Sequence, residues 1–189
     1  NTGDCDVSRM GNVMVNWKVR WAVTAWLADA TAAEATYGHI STWETGGVTD
    51  MSYLFCAASW LSSCNTAAKS FNEDIGTWDT SGVTSMYYMF KDASSFDQDL
   101  SGWAVDSLTS LRHTFNGASS FNQDLGWCVD DDSDLTDAFK NTQCESTSCG
   151  VKKAESGCAS WFGNFGSDAA PKTQFTSFGA LLGAVLLML

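Results

Sequence analysis

Three aspartates recur at one interval: Asp74, Asp99 and Asp124 lie 25 residues apart. Asn72, Asp97 and Asn122 run beside them with the same period. Carboxylates repeated in this way could hold Ca²⁺, which takes several carboxylate and carbonyl oxygens. They could instead accept hydrogen bonds from backbone N–H groups at repeated turns. Asp and Asn interchange at the neighbouring position and no loop follows the EF-hand pattern, so the turn-capping ladder is favoured and no metal or cofactor is expected. Asp130, Asp131 and Asp132 form a second calcium candidate whose plainer reading is a solvated turn.

Other chemistry is sparse. The two histidines, His39 and His113, fall at positions that other units fill with different residues. No G-x-S-x-G, H-E-x-x-H or P-loop pattern occurs, and no enzyme is expected. Seven cysteines are present but no C-x-x-C pair, which argues for disulfides over structural zinc. Cys56 and Cys64 bracket an insertion and would staple it. Cys128, Cys144, Cys149 and Cys158 gather near the end, with Cys128–Cys144 and Cys149–Cys158 as the preferred pairing, although spacing does not decide it. Cys5 is left over. Disulfides imply an oxidising compartment, hence secretion or surface display.

These residues are positioned by a repeat. Trp43, Trp78, Trp103 and Trp127 are each followed twelve residues later by Phe: Phe55, Phe90, Phe115 and Phe139. A fixed period of this size is the signature of a repeat architecture. Within each unit, Val83, Met86, Met89 and Phe90 have helical spacing, as do Val48, Met51, Leu54 and Phe55. The segment before each Trp is short, polar-flanked and suited to a strand or extended stretch. A lone unit cannot bury its aromatics; adjacent units can.

The units FNEDIGTWDTSGVTSMYYMFKDASS (71–95) and FDQDLSGWAVDSLTSLRHTFNGASS (96–120) resemble those of the BspA-like leucine-rich-repeat surface proteins, whose unit is also called the DUF285 repeat. The likeness spans roughly residues 15–160. It implies an α/β, leucine-rich-repeat-like solenoid of about four 25-residue units in a secreted or surface location, and it does not imply an enzyme activity. The expected organisation is an N-terminal segment and helical cap over 1–38, repeats over 39–144, a Cys-rich cap over 145–165, and a polar spacer with apolar tail over 166–189. In the cap, residues 17–35 should be helical, with Asn16 as N-cap, Gly38 as stop, and a packed stripe of Trp17, Trp21, Thr24 and Leu27/Ala28 broadened by Val23, Trp26 and Ala30.

The net charge is −12. Between Phe71 and Phe139 stand thirteen acidic residues and two basic ones, Lys91 and Arg112. Nucleic acid is therefore not an expected partner, because phosphate binding needs Lys/Arg stripes. The last twelve residues, FGALLGAVLLML, would make a helix about 18 Å long against a hydrocarbon core of about 30 Å. A small-residue site, a polar spacer and such a tail match a GPI-attachment signal, with Ser167 the first choice for the anchor and Gly166 or Asp168 as alternatives.

The expectation is a membrane-anchored, extracellular interaction or adhesion module that recognises a protein or cell-surface ligand. The contacts would come from side chains that interrupt the repeat: Tyr53, Tyr87, Tyr88, Arg112 and His113. The alternatives are a self-associating coat or matrix component and a calcium-binding surface protein.

Overall fold

The structure, a computed structural model, describes residues 11–156 and residue 158. It opens with a short strand, β1 (Val13–Val15), that runs directly into α1 (Asn16–Ala28) and α2 (Ala30–Tyr37). The helical stretch is thus two helices rather than one. Asp29 breaks it with extended backbone (φ −157°) and caps α2 by accepting the Ala32 N–H at 3.0 Å. Gly38, at φ +77°, stops α2 where its sequence position suggested.

The packed face of α1 also differs from the expected stripe. Val23 and Trp26 are buried as expected, but so are Lys18, Val19 and Ala22, while Trp17 and Trp21 are 47% and 71% exposed. Lys18 supplies the reason. Its Nζ donates to the Gly11 and Val13 carbonyls at 2.8 and 2.9 Å, so a buried ammonium ties the helix to the chain entering it. Burial pulls the Lys18 pKa below the usual lysine value. Asn16 does not cap α1 either; its side chain is used elsewhere.

Strand β2 (Glu44–Gly47) pairs in parallel with β1, and β3 (Cys128–Val129) pairs in parallel with β4 (Lys152–Lys153). These are the two sheets of the described residues, each of two strands. Between them the units touch through isolated parallel bridges, Asp50 to Ser85, Ser85 to Ser110, and Ser110 to Asp134. The α/β leucine-rich-repeat-like solenoid is therefore not the fold. Among the described residues both α-helices precede the units, and residues 48–139 are mostly turns and irregular backbone. The chain is a small mixed fold.

Backbone hydrogen bonding explains why helical spacing produced no helix. The Met89 N–H bonds the Met86 carbonyl at 3.0 Å, and Ala93 and Phe96 bond Phe90 and Ala93 in the same way. Each is a three-residue turn, so an apolar residue returns to the interior about every third position, as it would in a helix. Tyr88 and Asp92 have left-handed φ of +57° and +59°, which no α-helix accommodates. Intervening N–H groups leave the unit: Met86, Tyr88, Phe90 and Asp92 donate to the carbonyls of Ser110, Arg112, Thr114 and Asn116 at 2.8–3.2 Å. A helix would have consumed those donors internally.

The core is aromatic. Trp43, Trp78, Trp103 and Trp127 lie face to face with ring centroids 6.0–6.5 Å apart. Phe55, Phe90, Phe115 and Phe139 form a second column at 5.2–5.7 Å, and Phe71, Phe96 and Phe121 a third. All these rings are at most 6% exposed. Each fully buried aromatic side chain contributes on the order of 2–3 kcal/mol of apolar burial.

Candidate functional site

In four successive units the residue ten positions after Trp has left-handed backbone: Tyr53 (φ +65°), Tyr88 (+57°), His113 (+56°) and Asp137 (+50°). Large side chains are uncommon in this region, and repeating it aims four non-repeating side chains along one line. Tyr53 stacks on Tyr88 at 5.5 Å, and Tyr88 meets the His113 ring at 4.8 Å. Tyr87 packs edge-on against both tyrosines, at 5.4 and 4.3 Å. Four of the five candidate binding residues are thus in direct ring contact. All four are half-buried, so each keeps an accessible edge.

Charges border the aromatics. The Arg112 guanidinium lies 3.8 Å from Asp134, and Lys140 Nζ lies 3.8 Å from Asp137. Asp137 also lies 3.7 Å from His113 Nδ1, while the Asn116 amide is 3.2 Å from the same nitrogen. Burial lowers the His113 pKa, and the Asp137 carboxylate partly opposes it. Burial raises the pKa of Tyr53 and of Tyr88, so both hydroxyls stay protonated at physiological pH.

Beyond Tyr53 the face continues into a 290 Å³ depression lined by Arg20, Thr24, Leu27, Leu54, Ser63 and Asn65. Arg20 was missed by sequence reasoning, because it occurs once and lies on a helix outside the repeat. Its guanidinium donates to the Ser52 carbonyl at 2.6 Å and to the Asp50 carboxylate at 2.9 Å. The face therefore offers flat aromatic surface, hydroxyl donors and paired charges, which are the components of a recognition surface.

The acidic candidates do other things. Asp74 and Asp99 accept the N–H two residues ahead, from Gly76 and Ser101, at 2.9 Å. Asn72 Oδ1 accepts the Asp97 N–H and Asp97 Oδ1 accepts the Asn122 N–H, both at 2.9 Å, one unit to the next. Asp124 sits against Gly150, where an added Cβ would lie 1.8 Å from its Oδ1. Asp131 accepts the Glu155 N–H at 2.8 Å, and Asp130 and Asp132 are exposed beside it. Among the described residues no group of three or more His, Cys, Asp or Glu side chains could hold a metal ion.

Cys56 is bonded to Cys64 across the insertion. The preferred C-terminal pairing is overturned: Cys128 bonds Cys158, and Cys144 bonds Cys149. The parallel pairing of β3 with β4 brings residues 152–153 beside 128–129, carrying Cys158 to Cys128. The short Glu145–Gly150 helical turn folds Cys149 back onto Cys144. Cys5, Ser167 and the apolar tail lie outside the described residues. Among the described residues no helix is long and apolar enough to cross a membrane.

Aromatic columns under a mixed aromatic and charged face, pinned among the described residues by three disulfides, define a small, disulfide-stapled mixed fold. The chain belongs to the family described as Mycoplasma protein of unknown function, DUF285, whose model matches residues 24–150. That span holds the four Trp-to-Phe units and the Tyr/His face. Comparison with curated proteins gave no match, and comparison with solved structures gave none.

Proposed function

We propose that the chain is a surface-displayed or secreted interaction module, of the kind the BspA-like resemblance implies, and that it binds a protein or cell-surface ligand across the Tyr53–Tyr87–Tyr88–His113 face. One observation carries this reading. Side chains that interrupt the repeat are in mutual ring contact on one line, while the repeated aromatics are buried. Tyrosine gives large contact area at low entropic cost, and Arg112 beside it adds a charged anchor. Three disulfides support an oxidising, extracellular compartment. Membrane attachment through the C-terminal region is part of the proposal and rests on the sequence of residues 166–189.

The test uses the oxidised full chain on a glycan array and on immobilised extracellular matrix proteins. Tyr87→Ser combined with Tyr88→Asn should abolish the signal, since Asn tolerates left-handed backbone and keeps the fold. Unchanged binding by a variant of unchanged thermal stability overturns the assignment of this face.

A further inference from the structure

Each unit turns a row of backbone donors toward the next. Leu111, His113, Phe115 and Gly117 donate to the carbonyls of Asp134, Thr136, Ala138 and Lys140 at 2.8–2.9 Å. The equivalent donors of the last unit are Leu135, Asp137, Phe139 and Asn141. Asn141 donates to Glu145 Oε2 at 2.8 Å. Among the described residues the other three N–H groups have no hydrogen-bond partner. They border an open depression of 190 Å³ lined by Leu135, Asp137, Ala138, Phe139, Lys140, Glu145 and Ser148.

This row holds donors only. The Leu135, Asp137 and Phe139 carbonyls already accept from Ala138, Lys140 and Thr142. Two copies of the edge cannot pair with each other, because donors would face donors. Nor can the first unit of a second copy serve. Of its carbonyls matching the three donors, Asp50 and Ser52 are held by Arg20, which leaves Leu54 alone among the described residues. The rim carries Asp134, Asp137 and Glu145 against Arg112 and Lys140.

We infer that residues 135–141 form a docking edge for an extended segment of another polypeptide, neutral or basic in composition. That segment would lie parallel to the edge and offer three alternate carbonyls to Leu135, Asp137 and Phe139. Recognition is by strand addition: main-chain bonds supply affinity, and the depression takes one apolar side chain against Leu135 and Phe139. The edge adjoins the tyrosine face at Asp137 and Arg112 but uses none of its rings.

The probe is a synthetic peptide copying residues 109–118, TSLRHTFNGA, which presents carbonyls in this register to the unit before it. Amide exchange of the oxidised full chain is followed by NMR. In the free protein the Leu135, Asp137 and Phe139 amides should exchange faster than those of Leu111, His113 and Phe115. Saturating peptide should slow the three by about tenfold or more, and a scrambled peptide should not. A Tyr87→Ser variant should respond alike, which separates this inference from the proposed ligand face. Protection of the three amides already in the free protein would show the edge filled by the chain itself and overturn the inference. So would perturbations confined to other residues, or none.

Discussion

The Trp103 indole N–H donates to the Ile75 carbonyl at 3.1 Å, reaching back into the preceding unit. Trp78 bonds Ile40 in the same way at 2.9 Å, and Trp127 bonds Leu100 at 3.0 Å. The tryptophan is thus both a slab of apolar surface and a second donor, beside a backbone N–H, to a carbonyl of its neighbour. Phenylalanine could fill most of the volume but not the second role.

Trp103→Phe should therefore destabilise the protein by about 1–3 kcal/mol, combining one lost buried hydrogen bond with a small cavity, while the Ile75 carbonyl keeps the Trp78 N–H. Trp21→Phe, on the exposed side of α1, should change stability by less than about 0.5 kcal/mol. Urea unfolding of the two variants separates the roles; equal losses would contradict the assignment.

Asn16 stands where a preceding unit would otherwise be. Its Oδ1 accepts the Thr49 and Asp50 N–H groups at 2.8 and 3.2 Å, and its Nδ2 donates to Thr49 Oγ1 at 2.9 Å. Asn16→Ala should expose both amides and cost about 1 kcal/mol. Hydrogen exchange should quicken at Thr49 and Asp50 while the Met86, Tyr88 and Phe90 amides stay protected.

The disulfide connectivity predicts unequal costs. Cys128–Cys158 spans 30 residues and Cys144–Cys149 spans five. On loop-closure entropy, opening the first by paired Ser substitution should cost about 3–4 kcal/mol and opening the second about 2 kcal/mol. Non-reducing peptide mapping checks the premise, and a Cys128–Cys144 peptide would refute it.

Stability should fall on acidification in two stages. His113 has a lowered folded-state pKa, from burial first, so the unfolded chain binds the proton more readily. Its contribution is present above the ordinary histidine value of about 6.5 and is lost as pH falls from there through the lower folded value. Asp79, Asp99 and Asp134 have lowered pKa values because their oxygens accept hydrogen bonds from Ser81, Ser101 and Thr136. Their contributions persist above the ordinary carboxylate value of about 3.9 and fade as pH falls through the folded one. His113→Asn, which suits the left-handed backbone, should erase the first stage of a Tm-against-pH curve and leave the second.

Spacing revealed the aromatic columns, because a twelve-residue Trp-to-Phe interval repeats whatever the backbone does between. It misled about the backbone itself: three-residue turns and α-helical turns both return an apolar residue to the core at i+3. Only the left-handed residues distinguish them, and Tyr88 and His113 do not advertise that conformation as Gly or Asn would. The tyrosine face was legible as a break in the repeat. The aspartate pattern was legible as a period, but its bonds to Gly76 and Ser101 needed the turns to be seen. The C-terminal disulfides were illegible, since β3–β4 pairing joins two-residue strands with little periodicity of their own.

Recognition is proposed to rest on the non-repeating side chains that share one line. The direct measurement compares binding of three oxidised full-length proteins to one panel of matrix proteins and glycans: wild type, Tyr87→Ser/Arg112→Ser, and Asn72→Ser/Gln98→Ser on the polar ladder. The account predicts that the first double variant loses binding by tenfold or more, on the order of 1.4 kcal/mol, at unchanged Tm, while the second binds as wild type does. Loss of binding in the ladder variant alone would contradict it.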